Sequence, residues 1–66
     1  MKQITFDEDE NRPILDGNGI HCGDYLEILT EDGYKGTCVE YNTDWYFTKF
    51  PNLKVVGMIA RWKAEE

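Results

Sequence analysis

Alternation of apolar and polar residues over residues 25–30 is the clearest pattern in this chain. Leu26 and Ile28 fall on one face of this segment, and Tyr25 and Glu27 fall on the other, because successive side chains of a strand point to opposite sides. The charge of Glu27 marks its face as the solvent side. The pattern therefore predicts a strand with Leu26 and Ile28 in the core.

A hairpin turn follows this strand at Asp32-Gly33. Glycine supplies the positive φ that tight hairpin turns require, so the pair predicts a reversal of the chain. The return strand is predicted over residues 34–41, with Thr37, Val39 and Tyr41 sharing one face. The other face carries Tyr34, Gly36, Cys38 and Glu40.

The remaining elements are predicted to be short. Residues 2–6 alternate and predict a first strand, and residues 12–15 predict an arm that pairs back onto it. Pro13 has no N–H for a sheet ladder, so this arm is expected at an edge. Toward the C-terminus the pattern predicts a strand over 45–50, a helical turn or short strand over 53–56, and a last strand over 57–62.

About five short antiparallel strands with tight turns predict an all-β fold, and no segment predicts a helix of ordinary length. The expected architecture is a small SH3-like, partly open barrel, because a flat sheet of this size would leave half of its apolar residues in water. The barrel is expected over residues 19–62. An N-terminal arm or hairpin over 1–18 should pack on it, and residues 63–66 form a tail.

The charge of the chain narrows the class of partner. The net charge is −6, with −7 in residues 1–33 and +1 in residues 34–66. This acidic balance argues against binding nucleic acid, whose affinity depends on Lys and Arg contacts to phosphate. It favours a protein partner that is basic, or simply solubility.

The cellular setting is predicted from the cysteines and from the apolar runs. Cys22 and Cys38 do not form a disulfide framework, so they indicate reduced thiols in the cytoplasm. No signal peptide is evident after Met1, because acidic residues follow within the first ten positions. The apolar run over 55–60 is too short to span a bilayer, so no membrane association is expected.

Several short motifs resemble a family of small uncharacterised proteins of Gram-positive bacteria, many of them carried on plasmids, conjugative elements or prophages. The resemblance covers roughly residues 17–62. The motifs are Gly19-Ile20-His21-Cys22-Gly23, Leu26-Glu27, Thr37 with Val39-Glu40, Asp44-Trp45-Tyr46, and Gly57-Met58 with Ala60-Arg61. The resemblance implies an SH3-like domain of unknown function, a cytoplasmic setting and a mobile-element origin. The chain departs from the pattern at Tyr34, where a tryptophan is expected, and at Cys38, where a basic residue is expected.

Aromatic residues give the best functional signal. Trp45, Tyr46 and Phe47 are consecutive, so alternation cannot bury all three on one side. We predict that Tyr46 and Thr48 point inward, and that Trp45 and Phe47 point outward. Outward aromatic rings can form a patch that a partner covers.

The predicted function is a non-enzymatic protein-interaction module with no cofactor or metal. Its binding residues are predicted to be Tyr25, Tyr34, Trp45 and Phe47 with the nearby acids Glu27, Glu40 and Asp44, which would select a basic or proline-containing partner. Two alternatives remain open for the aromatic surface. The N-terminal arm could cover it through Ile4, Phe6, Ile14 and Leu15, or two copies could bury it in a symmetric homodimer.

Three other functions compete with this prediction. Asp7-Glu8-Asp9-Glu10 could mimic phosphates in a mobile-element inhibitor of anti-restriction or anti-CRISPR type that occupies a basic groove, although a short charge run is usually a solvated loop. His21, Cys22 and Cys38 could bind a metal or act as a nucleophile and base, or could simply pack at the mouth of the barrel. The third is nucleic-acid binding, in which single-stranded bases stack on the aromatic face. It would need a local cluster of the cations Lys35, Lys49, Lys54 and Arg61.

Overall fold

A computed structural model describes residues 2–63 and contains seven strands and no helix in that range. All strand pairs are antiparallel, and they form a three-stranded sheet in the order β1-β2-β3 and a four-stranded sheet in the order β6-β5-β4-β7. The strands are β1 Thr5–Asp7, β2 Arg12–Leu15, β3 Asn18–Gly19, β4 Tyr25–Thr30, β5 Gly33–Asn42, β6 Asp44–Phe47 and β7 Ala60–Trp62. The all-β prediction is confirmed. The two sheets are not closed into a barrel.

Residues 2–7 border both sheets. The first half of this stretch lies beside β7 and the residues just before it. The Ala60 N–H donates to the Lys2 carbonyl at 2.9 Å, and the Ile4 N–H donates to the Met58 carbonyl at 2.8 Å. The second half is β1, which pairs with β2. One extended segment therefore connects the small sheet to the edge of the large one.

The β4–β5 hairpin forms where the sequence predicts it. Thr30 pairs with Gly33, whose φ of 100° lies in the region that favours glycine. The Thr30 hydroxyl donates to the Gly33 carbonyl at 2.8 Å and accepts the Asp32 N–H at 3.2 Å, which closes the turn. Leu26 and Ile28 are fully buried, as the alternation predicts.

In the strand predicted over residues 45–50, the assignment of inward and outward side chains is wrong. Phe47 pairs with Val39 and is fully buried, whereas Tyr46 pairs with Glu40 on the opposite face and Thr48 is exposed. The partner strand decides which side chains of β6 point inward, because paired residues share a face and Val39 points into the core. Phe47 is therefore a core residue and cannot take part in an outward binding surface.

The predicted edge position of the Pro13 arm is also wrong, because β2 lies between β1 and β3. The register pairs Ile14 with Gly19, which makes Pro13 and Ile20 the next opposed pair. Ile20 N–H donates to the Pro13 carbonyl at 2.8 Å, and the reciprocal bond cannot form without a proline N–H. Instead Arg12 Nη1 donates to the Ile20 carbonyl at 3.0 Å.

Both sheets contribute to one core. The small sheet and the residues next to it supply Ile4, Leu15 and Ile20, and the rest of the chain supplies Leu26, Ile28, Val39, Phe47, Val55 and Ala60. Trp62 Nε1 donates to the Leu15 carbonyl at 2.9 Å, so a side chain of the large sheet bonds the backbone of the small one. The small sheet thus covers the inner side of the large sheet.

Three details complete the comparison with the predicted elements. The strand expected over 45–50 ends at Phe47, and residues 48 and 49 form a turn from which Phe50 bridges back. Residues 53–56 form bends and a turn rather than a helical turn or a strand. Over residues 2–63 there is no helix of the length and apolarity needed to cross a membrane.

Candidate interaction surface

The outer side of the four-stranded sheet carries three tyrosines. Strand pairing places Tyr25 opposite Cys38 and Tyr34 opposite Leu29, and it places Tyr46 opposite Glu40 on the adjacent strand pair. We call this side the tyrosine face. Its members are Tyr25, Glu27, Leu29, Tyr34, Gly36, Cys38, Glu40, Tyr46 and Arg61. Four of the predicted site residues, Tyr25, Tyr34, Glu27 and Glu40, lie here.

The ring of Tyr25 lies across the sheet over Gly36. A Cβ atom at Gly36 would overlap the Tyr25 hydroxyl and ring, so the glycine makes room for the ring. The Lys63 ammonium lies 5.1 Å from the centre of the same ring, within the range of a cation–π contact. Tyr25 is 41% exposed and is held against the sheet rather than extended into solvent.

Arg61 fixes the second ring of the tyrosine face. Its Cζ atom lies 3.8 Å from the centre of the Tyr34 ring, and its Nε donates to the Glu27 Oε1 at 2.7 Å. The Glu27 side chain is 26% exposed, so this ion pair is partly shielded from water. Tyr34, Arg61 and Glu27 therefore form one ordered unit across β5, β4 and β7.

The remaining predicted site residues lie elsewhere. Trp45 pairs with Tyr41 on the side of the sheet opposite the tyrosine face, and the two ring centres are 5.1 Å apart at an angle of 60°. Trp45 is half-buried and packs against the core. Asp44 precedes it at the exposed start of β6, where its Oδ1 accepts the Trp45 N–H at 2.8 Å. The structure thus divides the predicted site into two surfaces.

Trp45 lines two depressions. One, of about 530 Å³, is lined by Arg12, His21 and Tyr41 among others. The other, of about 270 Å³, is lined by Phe6 and Val56 together with Trp45. We call Trp45, Tyr41, Phe6 and Val56 the Trp45 ridge.

His21 and Cys22 lie in an exposed turn rather than packed at the mouth of a barrel. Asp24 Oδ2 accepts the His21 N–H at 2.8 Å, and the Asp24 N–H donates back to the His21 carbonyl at 3.0 Å. These bonds explain the turn without a ligand. Among residues 2–63, no three side chains of the His, Cys, Asp or Glu type are grouped as metal ligands.

A further groove of about 640 Å³ lies between the β4–β5 turn and residues 50–53. Leu29, Phe50 and Met58 form part of its apolar wall. Its rim carries both acids and lysines, which balance each other in charge, and the lysines are Lys35 and Lys49 of the predicted cation cluster.

Several members of the two surfaces were not predicted as site residues. The face predicted for Tyr46 is wrong, because none of the three consecutive aromatic residues is a charged residue that would mark the solvent side of the strand. Arg61 belongs to the Ala60-Arg61 motif and to the predicted cation cluster, and its alternation with Trp62 predicts that the two side chains point to opposite sides. Nothing in the local sequence could bring Phe6 and Val56 to Trp45, since these residues lie far apart in the chain.

The fold and surfaces define a class of small all-β domain in which a sheet with a tyrosine-lined outer side is backed by a second, smaller sheet. Comparison with family models assigns residues 2–62 to the domain of unknown function DUF5348. The chain therefore belongs to that family, and this membership confirms the resemblance to a family of unknown function. No match was found among the curated proteins. The solved structures likewise gave no match.

Proposed function

We propose that this chain is a non-enzymatic, cytoplasmic interaction module of SH3-like type that binds another protein through the tyrosine face. The observation that carries the proposal is that this face remains open in the monomer, because the small sheet packs on the other side of the large one. Ile4 and Leu15, which could have covered the aromatic rings, are buried in the core instead.

The composition and order of the tyrosine face support this proposal. Tyrosine and arginine are enriched in protein interfaces and in the residues that dominate binding energy. The contacts of Tyr25 with Gly36 and of Tyr34 with Arg61 hold both rings in place before any partner arrives. Rings that are already ordered lose less conformational entropy on binding.

Charge and size indicate the kind of binding. Glu27 and Glu40 are balanced by Arg61 and Lys63, so the face is electrically neutral and does not select a basic partner. Four strands about 4.8 Å apart and about 20 Å long give an area of roughly 300–400 Å². Stable interfaces bury about 800 Å² on each partner. The face thus favours a transient complex, and it is too small for a stable homodimer by itself.

Two further parts of the proposal rest on the cysteines and on the exposed turn. Both cysteines are free thiols, which supports a reducing compartment. His21 and Cys22 are exposed and line the open depression beside Trp45, and this exposure to water supports a role without catalysis.

Affinity capture from cells that carry this chain tests the tyrosine face. Tyr34→Ala should reduce recovery of the partner, because it removes a ring and releases Arg61. Leu53→Ala is the matched control, since Leu53 is an exposed apolar residue outside the face. Circular dichroism should show that both variants are folded. Equal recovery with wild type and Tyr34→Ala would argue against the proposal.

A second candidate function is the inhibitor that occupies a basic groove by acidic mimicry. One observation favours it: Asp7 ends β1, Glu8 to Glu10 lie in the β1–β2 turn, and none of the four makes an ion pair with any residue between 2 and 63. A phosphate mimic should lose its target steeply with added salt, whereas binding through the neutral tyrosine face should change little. Neutralising Asp7 to Glu10 without loss of inhibition would eliminate this candidate.

A further inference from the structure

The larger of the two depressions at the Trp45 ridge combines aromatic rings with a permanent cation. Its lining, as formed by residues 2–63, includes no carboxylate and consists of Asn11, Arg12, His21, Cys22, Tyr41 and Trp45. Arg12 is half-buried and makes no ion pair with any acid in that range. An arginine in this position, without an acidic partner, can bind an anion from solution.

The Arg12 guanidinium is held in place without a ligand. Its Nη1 donates to the Ile20 carbonyl at 3.0 Å, and its Cζ lies 6.0 Å from the centre of the Trp45 ring, at the limit of a cation–π contact. Nε and Nη2 have no acceptor within the described chain, and no unpartnered side-chain nitrogen there is buried, so both reach solvent. Two adjacent N–H groups of a guanidinium match the two oxygens of a carboxylate.

Gly19 brings the side chains of Arg12 and His21 together at this depression. A Cβ atom at Gly19 would lie 2.9 Å from the Arg12 Cδ and 3.8 Å from the His21 Cε1, so both side chains pass over the same stretch of backbone. The Asp24 Oδ2 lies 3.8 Å from the imidazole Nδ1, but Asp24 does not line the depression. This carboxylate therefore contacts His21 and leaves the charge of Arg12 uncompensated.

Two rings form the aromatic wall of the depression. The centres of Tyr41 and Trp45 are 5.1 Å apart, and their planes are tilted by 60°, so the rings do not stack face to face. Tyr41 is 52% exposed, and much of its ring is therefore open to a ligand. A flat apolar group can pack on this ring while an attached anion reaches Arg12.

We propose that this depression binds a small molecule with a planar ring and a single carboxylate. The carboxylate accepts from Nε and Nη2 of Arg12, and the ring packs on Tyr41 beside Trp45. A single negative charge is favoured over several, because Arg12 is the one permanent cation that residues 2–63 contribute to the lining and the chain carries a net charge of −6. The volume of about 530 Å³ is within the range of small-molecule sites.

Titration with three small probes tests the class of ligand. Naphthoate has the ring and the carboxylate, naphthamide has the same shape without the charge, and acetate has the charge without the ring. Binding is followed by the NMR shifts of the Trp45 indole N–H and the Arg12 side-chain N–H groups. Naphthoate should bind at least about tenfold more tightly than either of the other two, a difference of about 1.4 kcal/mol.

Variants of the chain locate the carboxylate and the ring. Arg12→Gln keeps a side-chain N–H for the Ile20 carbonyl but removes the charge, so it should weaken naphthoate binding at least about tenfold and leave naphthamide binding unchanged. Tyr41→Ala removes an exposed ring and should weaken the binding of both naphthalene probes severalfold. Lys49→Gln is the matched control, because it removes an exposed cation outside this depression and should change neither affinity. Circular dichroism shows which variants are folded.

Several results would overturn the proposal. These are absence of naphthoate binding by the wild-type chain, equal binding of naphthamide, and unchanged naphthoate affinity in folded Arg12→Gln. If Arg12→Gln does not fold, unchanged naphthoate affinity in Tyr41→Ala has the same consequence. Loss of binding in Lys54→Gln with normal binding in Arg12→Gln would place the carboxylate in the smaller depression, which Lys54 lines. Tighter binding of naphthyl phosphate than of naphthoate would show that the site does not select a single negative charge.

Discussion

Arg12 and Pro13 illustrate how one side chain can complete a sheet ladder that another residue interrupts. Pro13 lies in the central strand of the small sheet without an N–H, and Arg12 Nη1 donates to the Ile20 carbonyl in its place. The arginine stem crosses directly over Gly19, where a Cβ atom would come within 2.9 Å of the Arg12 Cδ. A glycine beneath the arginine stem is therefore part of the same arrangement.

Replacement of Arg12 tests this arrangement. Arg12→Ala should lower the free energy of unfolding by about 1–3 kcal/mol, because it leaves the carbonyl of buried Ile20 without a donor. Pro13→Ala in the same chain restores a backbone N–H that can donate to that carbonyl. The double variant should therefore lose less stability than the sum of the two single changes, as measured by urea unfolding.

Two comparisons control the experiment. Lys2→Ala removes a cation from an exposed ion pair with Asp16 and should change stability by less than about 1 kcal/mol. Strict additivity of Arg12→Ala and Pro13→Ala would show that the two residues do not share the Ile20 carbonyl.

The β4–β5 hairpin is the element that the sequence describes best. Its strands, its turn and its inward residues all agree with the alternation pattern, because Glu27 marks the solvent side and Gly33 marks the turn. The β6 strand is the opposite case, since Trp45, Tyr46 and Phe47 are all suited to either face. Only pairing with β5, where Glu40 is opposite Tyr46 and Val39 is opposite Phe47, decides which ring is buried.

Substitution of Gly33 tests the hairpin. Gly33→Ala should destabilise the chain by about 1–2 kcal/mol, because a side chain at a φ of 100° is strained. Gly33→Asn should cost less, since asparagine tolerates positive φ better than other residues with a side chain. Thermal or urea unfolding measures both. If both variants were as stable as the wild type, Gly33 could not have the positive φ on which this prediction rests.

The whole molecule depends on contact between its two sheets. Ile4, Leu15 and Ile20 are buried with the residues of the large sheet in one core, and Trp62 bonds the Leu15 carbonyl across them. The same packing leaves the tyrosine face uncovered. The arrangement that stabilises so short a chain therefore also exposes its candidate binding surface.

Replacement of Trp62 tests this contact. Trp62→Phe keeps an aromatic ring but removes the donor to the Leu15 carbonyl, so it should lower stability by about 1–2 kcal/mol. Because the core is shared, amide exchange should accelerate both in β2 and in the β4–β5 hairpin. Faster exchange confined to the small sheet would show that the two sheets unfold independently.

The sequence by itself determined the all-β class, the hairpin at Gly33 and the burial of Leu26 and Ile28. These features follow from neighbouring residues, because side-chain alternation and turn geometry are local properties. Tertiary structure decided the burial of Phe47, the central position of Pro13 and the side of the large sheet that the small sheet covers. Each of these depends on a residue distant in the chain: Val39 opposite Phe47, Arg12 reaching Ile20, and Trp62 bonding Leu15.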